Sequence, residues 1–121
     1  MTPASMTPDE AMHRIDALLS HVWMARTFLK HSEEAEEDDE LKAVVRDLYD
    51  YCLSLGTAWN AKDSADYLKQ AKKKLSKLRA AVEEFARIQP EISPHTNFVM
   101  TLTSLRTAVG EIGEILAAQA S

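Results

Sequence analysis

Apolar residues recur every three or four positions along four separate runs of this chain, and that period constrains the fold more than any other feature. The first run is Ile15, Leu18, Leu19, Val22, Ala25 and Leu29. The second is Leu41, Val44, Val45, Leu48, Cys52, Leu55 and Trp59, with Tyr51 at its edge. The third is Tyr67, Ala71, Leu75, Leu78, Val82 and Phe85, and the fourth is Phe98, Leu102, Leu105, Val109, Ile112 and Leu116. A 3.6-residue period turns each run into a stripe along one side of a helix, whereas a half-buried strand alternates every second residue. β-Branched residues are sparse beside Ala, Leu, Glu and Lys, and only three Gly and four Pro interrupt 121 residues, so local preference agrees with the period.

The helix ends are written in capping chemistry. In Thr7-Pro8-Asp9-Glu10 the threonine hydroxyl can accept from an orphan amide, Pro8 sits where no amide is needed, and Glu10 can reach back to close a capping box. The first helix therefore starts there and runs to about Ser32, leaving residues 1–6 as a disordered tail. From Glu33 to Glu40 seven of eight residues are acidic, which opposes the negative end of one helix and suits the positive start of the next. A break is expected near Ala35 to Asp38. Gly56 weakens the last turns of the second helix, Asp63-Ser64 caps the third, Pro90 stops it, and Ser93-Pro94 starts the fourth. Connections shorter than about 8 residues favour antiparallel neighbours. The pattern thus predicts an all-α chain, a single antiparallel up-down-up-down four-helix bundle over residues 7–121.

Composition narrows the compartment and the partners. One cysteine, Cys52, allows no internal disulfide, and no charged leader followed by an apolar run opens the chain, so a cytoplasmic location is expected. No apolar stretch approaches the ~18 residues of a membrane span. A net charge of −5 gives no general attraction to nucleic acid or anionic lipid. Lys69, Lys72, Lys73, Lys74 and Lys77 form one basic concentration, but these positions wrap around a helix and lack interleaved aromatics, which reads as a solvated surface. Neither nucleic acid nor membrane is an expected partner.

The outer faces of the predicted helices are written differently. Asp63 to Gln89 carries eleven charged residues in 27 positions, while Pro94 to Ser121 carries only Arg106, Glu111 and Glu114. The outward line of the fourth helix reads Thr96, Met100, Thr103, Thr107, Gly110 and Ala118. Opposite its core stripe, the first helix places Ala17, Met24 and Phe28 on one line, flanked by His13, His21 and His31. First and last helices are neighbours in a closed ring, so the two weakly charged faces are expected to join into one patch. Patches of that kind mark association surfaces, and a two-fold dimer is the commonest outcome. The expected interface is Ala17, His21, Met24, Phe28, Met100, Thr103 and Thr107.

Candidate chemistry is thin. Glu10-x-x-His13 has the carboxylate and imidazole spacing of helical di-iron sites, but such a centre needs that pair from each of two helices and a further Glu from each of the others. Only one pair is present, facing outward. Glu10, His13, His21 and His31 remain candidates for a metal- or pH-responsive site assembled across a dimer interface, since imidazole changes charge between about pH 5 and 8. Arg26 to His31 has the Arg-x4-His spacing found in one family of small helical ribonucleases. Six arginines and four histidines give roughly one Arg-x4 to x6-His match by chance, and a five-residue step turns a pair by about 140° on a helix. His21 occupies the mid-helix position that a histidine phosphotransfer module phosphorylates, yet that family's His-x-x-Lys-Gly pattern is missing, because Val22-Trp23-Met24-Ala25 follows. The acidic run Glu33 to Glu40 lacks the Gly and alternating oxygen ligands of a calcium loop. Arg26 falls inside the apolar stripe, which predicts a stem that packs and a head that reaches water or an acid. Trp23, Trp59 and the three tyrosines could line a ligand cleft between helices, but aromatic residues at helical spacing are more often core. The sequence therefore points to a self-associating helical interaction module with no cofactor and no catalysis of its own.

Overall fold

The computed structural model describes residues 2–120, and every regular element among them is helical. A 3-10 turn, Pro3–Ser5, precedes α1 (Pro8–Lys30), α2 (Glu34–Glu37), α3 (Asp39–Ser54), α4 (Gly56–Asn60), α5 (Ser64–Lys73), α6 (Leu75–Ile92) and α7 (Thr96–Ala120). Met1 of the expected tail and Ser121 of the expected domain lie outside the described residues.

The N-terminus of α1 forms as its sequence predicts. Thr7 Oγ1 accepts from the Glu10 amide at 3.1 Å and Glu10 Oε1 accepts from the Thr7 amide at 2.9 Å. Ahead of this box, where no periodicity predicts an element, the 3-10 turn lies against α7. Met6 packs against the core, and its carbonyl accepts from Gln119 Nε2 at 2.9 Å.

Several boundaries differ from expectation for local reasons. The acidic stretch is a short helix instead of an open break, because Ala35 is buried and its amide bonds to Ser32. Asp38 then caps α3, its Oδ1 accepting from the Leu41 amide at 2.8 Å. The second predicted helix splits at Leu55, beside Gly56, into α3 and α4. Lys62 turns the chain with φ 55°, in the left-handed region, and Asp63 caps α5 through the Asp66 amide at 3.0 Å. The third predicted helix splits at Lys74, for which we find no signal among the side chains. Pro90 does not stop α6. It lies one turn from the end, where its missing N–H removes a single bond, and Gln89 Nε2 ties the terminus by donating to the Ser93 carbonyl at 3.0 Å. The last helix starts at Thr96 instead of Ser93-Pro94, with His95 Nδ1 accepting from the Asn97 amide at 3.0 Å.

The core is one contiguous cluster fed by every long helix. Ile15, Val22 and Leu29 of α1, Leu41 and Leu48 of α3, Tyr67 of α5, Leu78 and Phe85 of α6, and Leu105, Ile112 and Ile115 of α7 are almost completely buried. Each full side chain removed from water contributes roughly 1.5–3 kcal/mol, so these stripes are the dominant source of stability. Helix α1 packs against α7 on one flank and α3 on the other, while α6 touches α3 and α7, and α5 also lies against α1. Cross-helix pairs give the direction. Arg14 with Glu111, His21 with Ser104 and Phe28 with Phe98 run in opposite senses, so α1 and α7 are antiparallel. Glu40 with Arg87 and Asp47 with Lys77 show the same for α3 and α6.

Candidate functional site

The antiparallel register of α1 and α7 sets two uncharged stretches side by side. Residues 17–25 of α1 carry no ionised side chain, and neither do residues 96–105 of α7. Asp16 and Arg26, which flank the α1 stretch, turn to Tyr67 and to the Trp23 and Tyr49 rings, and the other charges near the zone are also paired. Arg14 holds Glu111 at 2.6 Å, closing one end of the zone, and Arg106 turns toward Glu83 of α6 at 3.6 Å.

Between the two helices lies a shallow groove of about 530 Å³. His21, Met24 and Phe28 line it from α1, and Asn97, Met100 and Ser104 from α7. Met24 is 62% exposed and Met100 57%, both high for side chains this apolar. Ala17, His21, Thr103 and Thr107 are exposed as the sequence predicts. Phe28 is the exception. It turns inward and meets Phe98 edge to face, with ring centroids 5.2 Å apart, so it forms the floor of the groove instead of an exposed strip.

The threonines of α7 make this face less polar than their names suggest. Thr101, Thr103 and Thr107 donate their hydroxyls to the carbonyls of Asn97, Val99 and Thr103 one turn back. A hydroxyl satisfied in this way leaves the γ-methyl as the group available to a neighbour. Ser104 differs, since its Oγ meets His21 Nδ1 at 3.2 Å. Spacing alone did not single out Ser104 or Asn97, because the groove side of α7 emerges only once Arg14 and Glu111 fix the register.

The histidines do not gather. His13 Nδ1 donates to the Asp9 carbonyl at 2.8 Å, and its ring edges onto Trp59 at 5.2 Å. His21 faces the groove, and His31 is the exposed C-terminal cap of α1. At 1.5 Å per residue, His21 lies about 12 Å from His13 and about 15 Å from His31 along the axis. Glu10 is occupied in the capping box. Among the described residues no three His, Cys, Asp or Glu side chains stand close enough to hold a metal ion. Arg26 and His31 also part company: the Arg26 guanidinium lies over the Trp23 and Tyr49 rings, 4.5 and 4.7 Å from their centroids. Its Nε is buried with no hydrogen-bond partner, so the stem packs as expected but the head rests on aromatic faces instead of an acid.

A second polar contact sits deeper. Tyr67 donates its hydroxyl to Asp16 Oδ1 at 3.0 Å and leans on Trp59. Burial, with the Asp16 carboxylate adding to it, holds the Tyr67 phenol well above the ordinary tyrosine range. Tyr51 is raised as well, chiefly by burial, and donates to the Ala71 carbonyl at 2.9 Å. Burial pushes the Cys52 thiol up to about 11, with the Arg26 cation opposing part of the rise. A thiol held in that form is a poor nucleophile and a poor metal ligand.

Comparison with protein-family models, curated proteins and solved structures finds no match to this chain. Among the described residues no helix is long and apolar enough to cross a membrane. The functional reading therefore rests on the face between α1 and α7.

Proposed function

We propose that this chain is an antiparallel four-helix bundle, with α5 and α6 together forming its third member, and that it is an interaction module pairing with a second copy of itself through α1 and α7. The closed ring of neighbours α1, α3, α6 and α7 supports the bundle. The observation that carries the association is the alignment of two charge-free stretches around exposed Met24 and Met100. A partner of the same chain also carries −5, and this face has no acidic residue from Ala17 to Phe28 or from Thr96 to Leu105. Two copies meet there with little like-charge repulsion.

Size sets the strength. Twelve residues of helix span about 18 Å, and two adjacent helices are about 20 Å wide. That footprint falls well below the ~800 Å² per partner of a standard interface, so the pairing we propose is weak and transient. The cytoplasm is the compartment we propose, where the lone thiol Cys52 remains reduced.

Charge insertion tests the assignment. Met24→Glu and Met100→Glu each bury an uncompensated carboxylate on pairing and should abolish the dimer in light scattering while leaving helicity unchanged. Dimerisation that survives both substitutions would remove α1 and α7 from the interface.

A further inference from the structure

We propose that His21 makes the pairing of two copies pH-dependent, so that the assembly loosens as the medium acidifies. This inference rests on the proposed use of the α1–α7 face and names its regulation. His21 sits in the groove that pairing covers, and its one polar contact is the Ser104 hydroxyl at 3.2 Å. From α7 it is faced by Ser104, Thr101, Asn97 and Met100, none of them ionisable. The charged groups nearest on that helix are Glu111, held by Arg14, and Arg106, drawn toward Glu83. On α1 itself the residues one turn away are Ala17, Leu18, Met24 and Ala25, and the closest charge on that line is the paired Arg14. Helices α3 and α5 meet other sides of α1, where Tyr49 stacks on Arg26 and Tyr67 bonds Asp16.

The sign follows from that environment. Covering the groove removes water from the imidazole and supplies no carboxylate, so the neutral ring is favoured in the pair and the protonated ring in the separated chains. Dissociation takes up protons, and lowering the pH drives it. Imidazole takes up its proton between about pH 8 and pH 5. Excluding one such proton per pair weakens association about tenfold between pH 8 and pH 5.5, and excluding two weakens it about a hundredfold. Overall charge predicts the opposite trend, because acidification reduces the repulsion between two chains of net charge −5.

The test is the self-association constant of the intact chain at pH 8 and pH 5.5, with circular dichroism at both values to confirm folding. His21→Asn keeps a polar atom near the Nδ1 position and removes the titration, and His31→Ala is the comparison. The proposal expects weaker pairing at pH 5.5 for the wild type and for His31→Ala, and pairing at pH 5.5 equal to or tighter than at pH 8 for His21→Asn. A dimer of unchanged or greater strength at pH 5.5 overturns the switch while leaving the association reading intact, as does a weakening at pH 5.5 that persists in His21→Asn. A chain that stays monomeric at both values overturns the two together.

Discussion

His21 and Ser104, separated by 83 positions in the chain, meet across the seam of α1 and α7 with Nδ1 3.2 Å from Oγ. Both groups remain open to water, so the contact marks the register of the two helices more than it holds them. Ser104→Ala should cost less than about 1 kcal/mol in urea unfolding. Phe28→Ala, which removes the ring packed on Phe98, should cost about 2 kcal/mol or more. Equal losses would mean that the polar contact, and not the aromatic pair, secures the seam.

The Tyr67 to Asp16 bond ties α5 to α1 from within the core. Tyr67→Phe leaves the carboxylate short of a donor and should lower stability by about 1–3 kcal/mol at neutral pH. A loss near zero would show that water replaces the hydroxyl at Asp16.

These two contacts show where sequence reading stops. The stripes located most of the core, because burial follows the 3.6-residue period that hydrophobicity records directly, but they passed over Ala11, Met12, Ile88 and Ile115, which are buried as deeply. The Thr7 and Glu10 box and the Asp63 cap were legible for a similar reason, since each is a contact between residues three apart. Pro90 misled because a proline one turn from a helix end removes only one bond. The histidines of α1 share a broad side of the helix in projection, but a projection discards the 12–15 Å between them along the axis. Ser104 was invisible until the register of α7 against α1 was known, and that register depends on packing across the whole core.

Alkaline pH should destabilise the fold in two stages. Burial raises Cys52 to about 11 in the folded chain, so the unfolded chain releases that proton first. The contribution is intact below the ordinary thiol range near pH 8.5 and is lost as pH rises toward 11. Tyr51 and Tyr67, also raised by burial, extend the loss above about pH 10. Urea midpoints at pH 8, 9.5 and 10.5 should therefore fall in sequence. Cys52→Ala should flatten the first step and Tyr67→Phe part of the second, and a midpoint constant to pH 10.5 would contradict the burial of these groups.

Reactivity gives an independent check on Cys52. With its pKa near 11, the thiolate fraction at pH 7.5 is about a hundredfold below that of an ordinary thiol. Alkylation by iodoacetamide should be slower by a similar factor in the folded chain and return to the ordinary rate in urea. Fast labelling of the native chain would place the thiol in water.

Two positions carry the residue type the other one favours. Lys62 holds φ 55°, where a side chain is strained, and Gly110 sits inside α7 with open space around its missing Cβ. Lys62→Gly should stabilise by about 0.5 kcal/mol, the relief of strain exceeding the added freedom of the unfolded chain. Gly110→Ala should gain about 0.5–1 kcal/mol from helix preference. Thermal unfolding at low concentration, where pairing does not contribute, measures both, and a loss at either site would contradict the backbone geometry described.

The most direct measurement of the central claim is sedimentation velocity of the wild-type chain at pH 8 from about 10 μM to 1 mM, spanning the affinity that a sub-standard interface allows. Pairing through α1 and α7 moves the boundary from monomer toward dimer across this range. A boundary that remains monomeric to the highest concentration would contradict it.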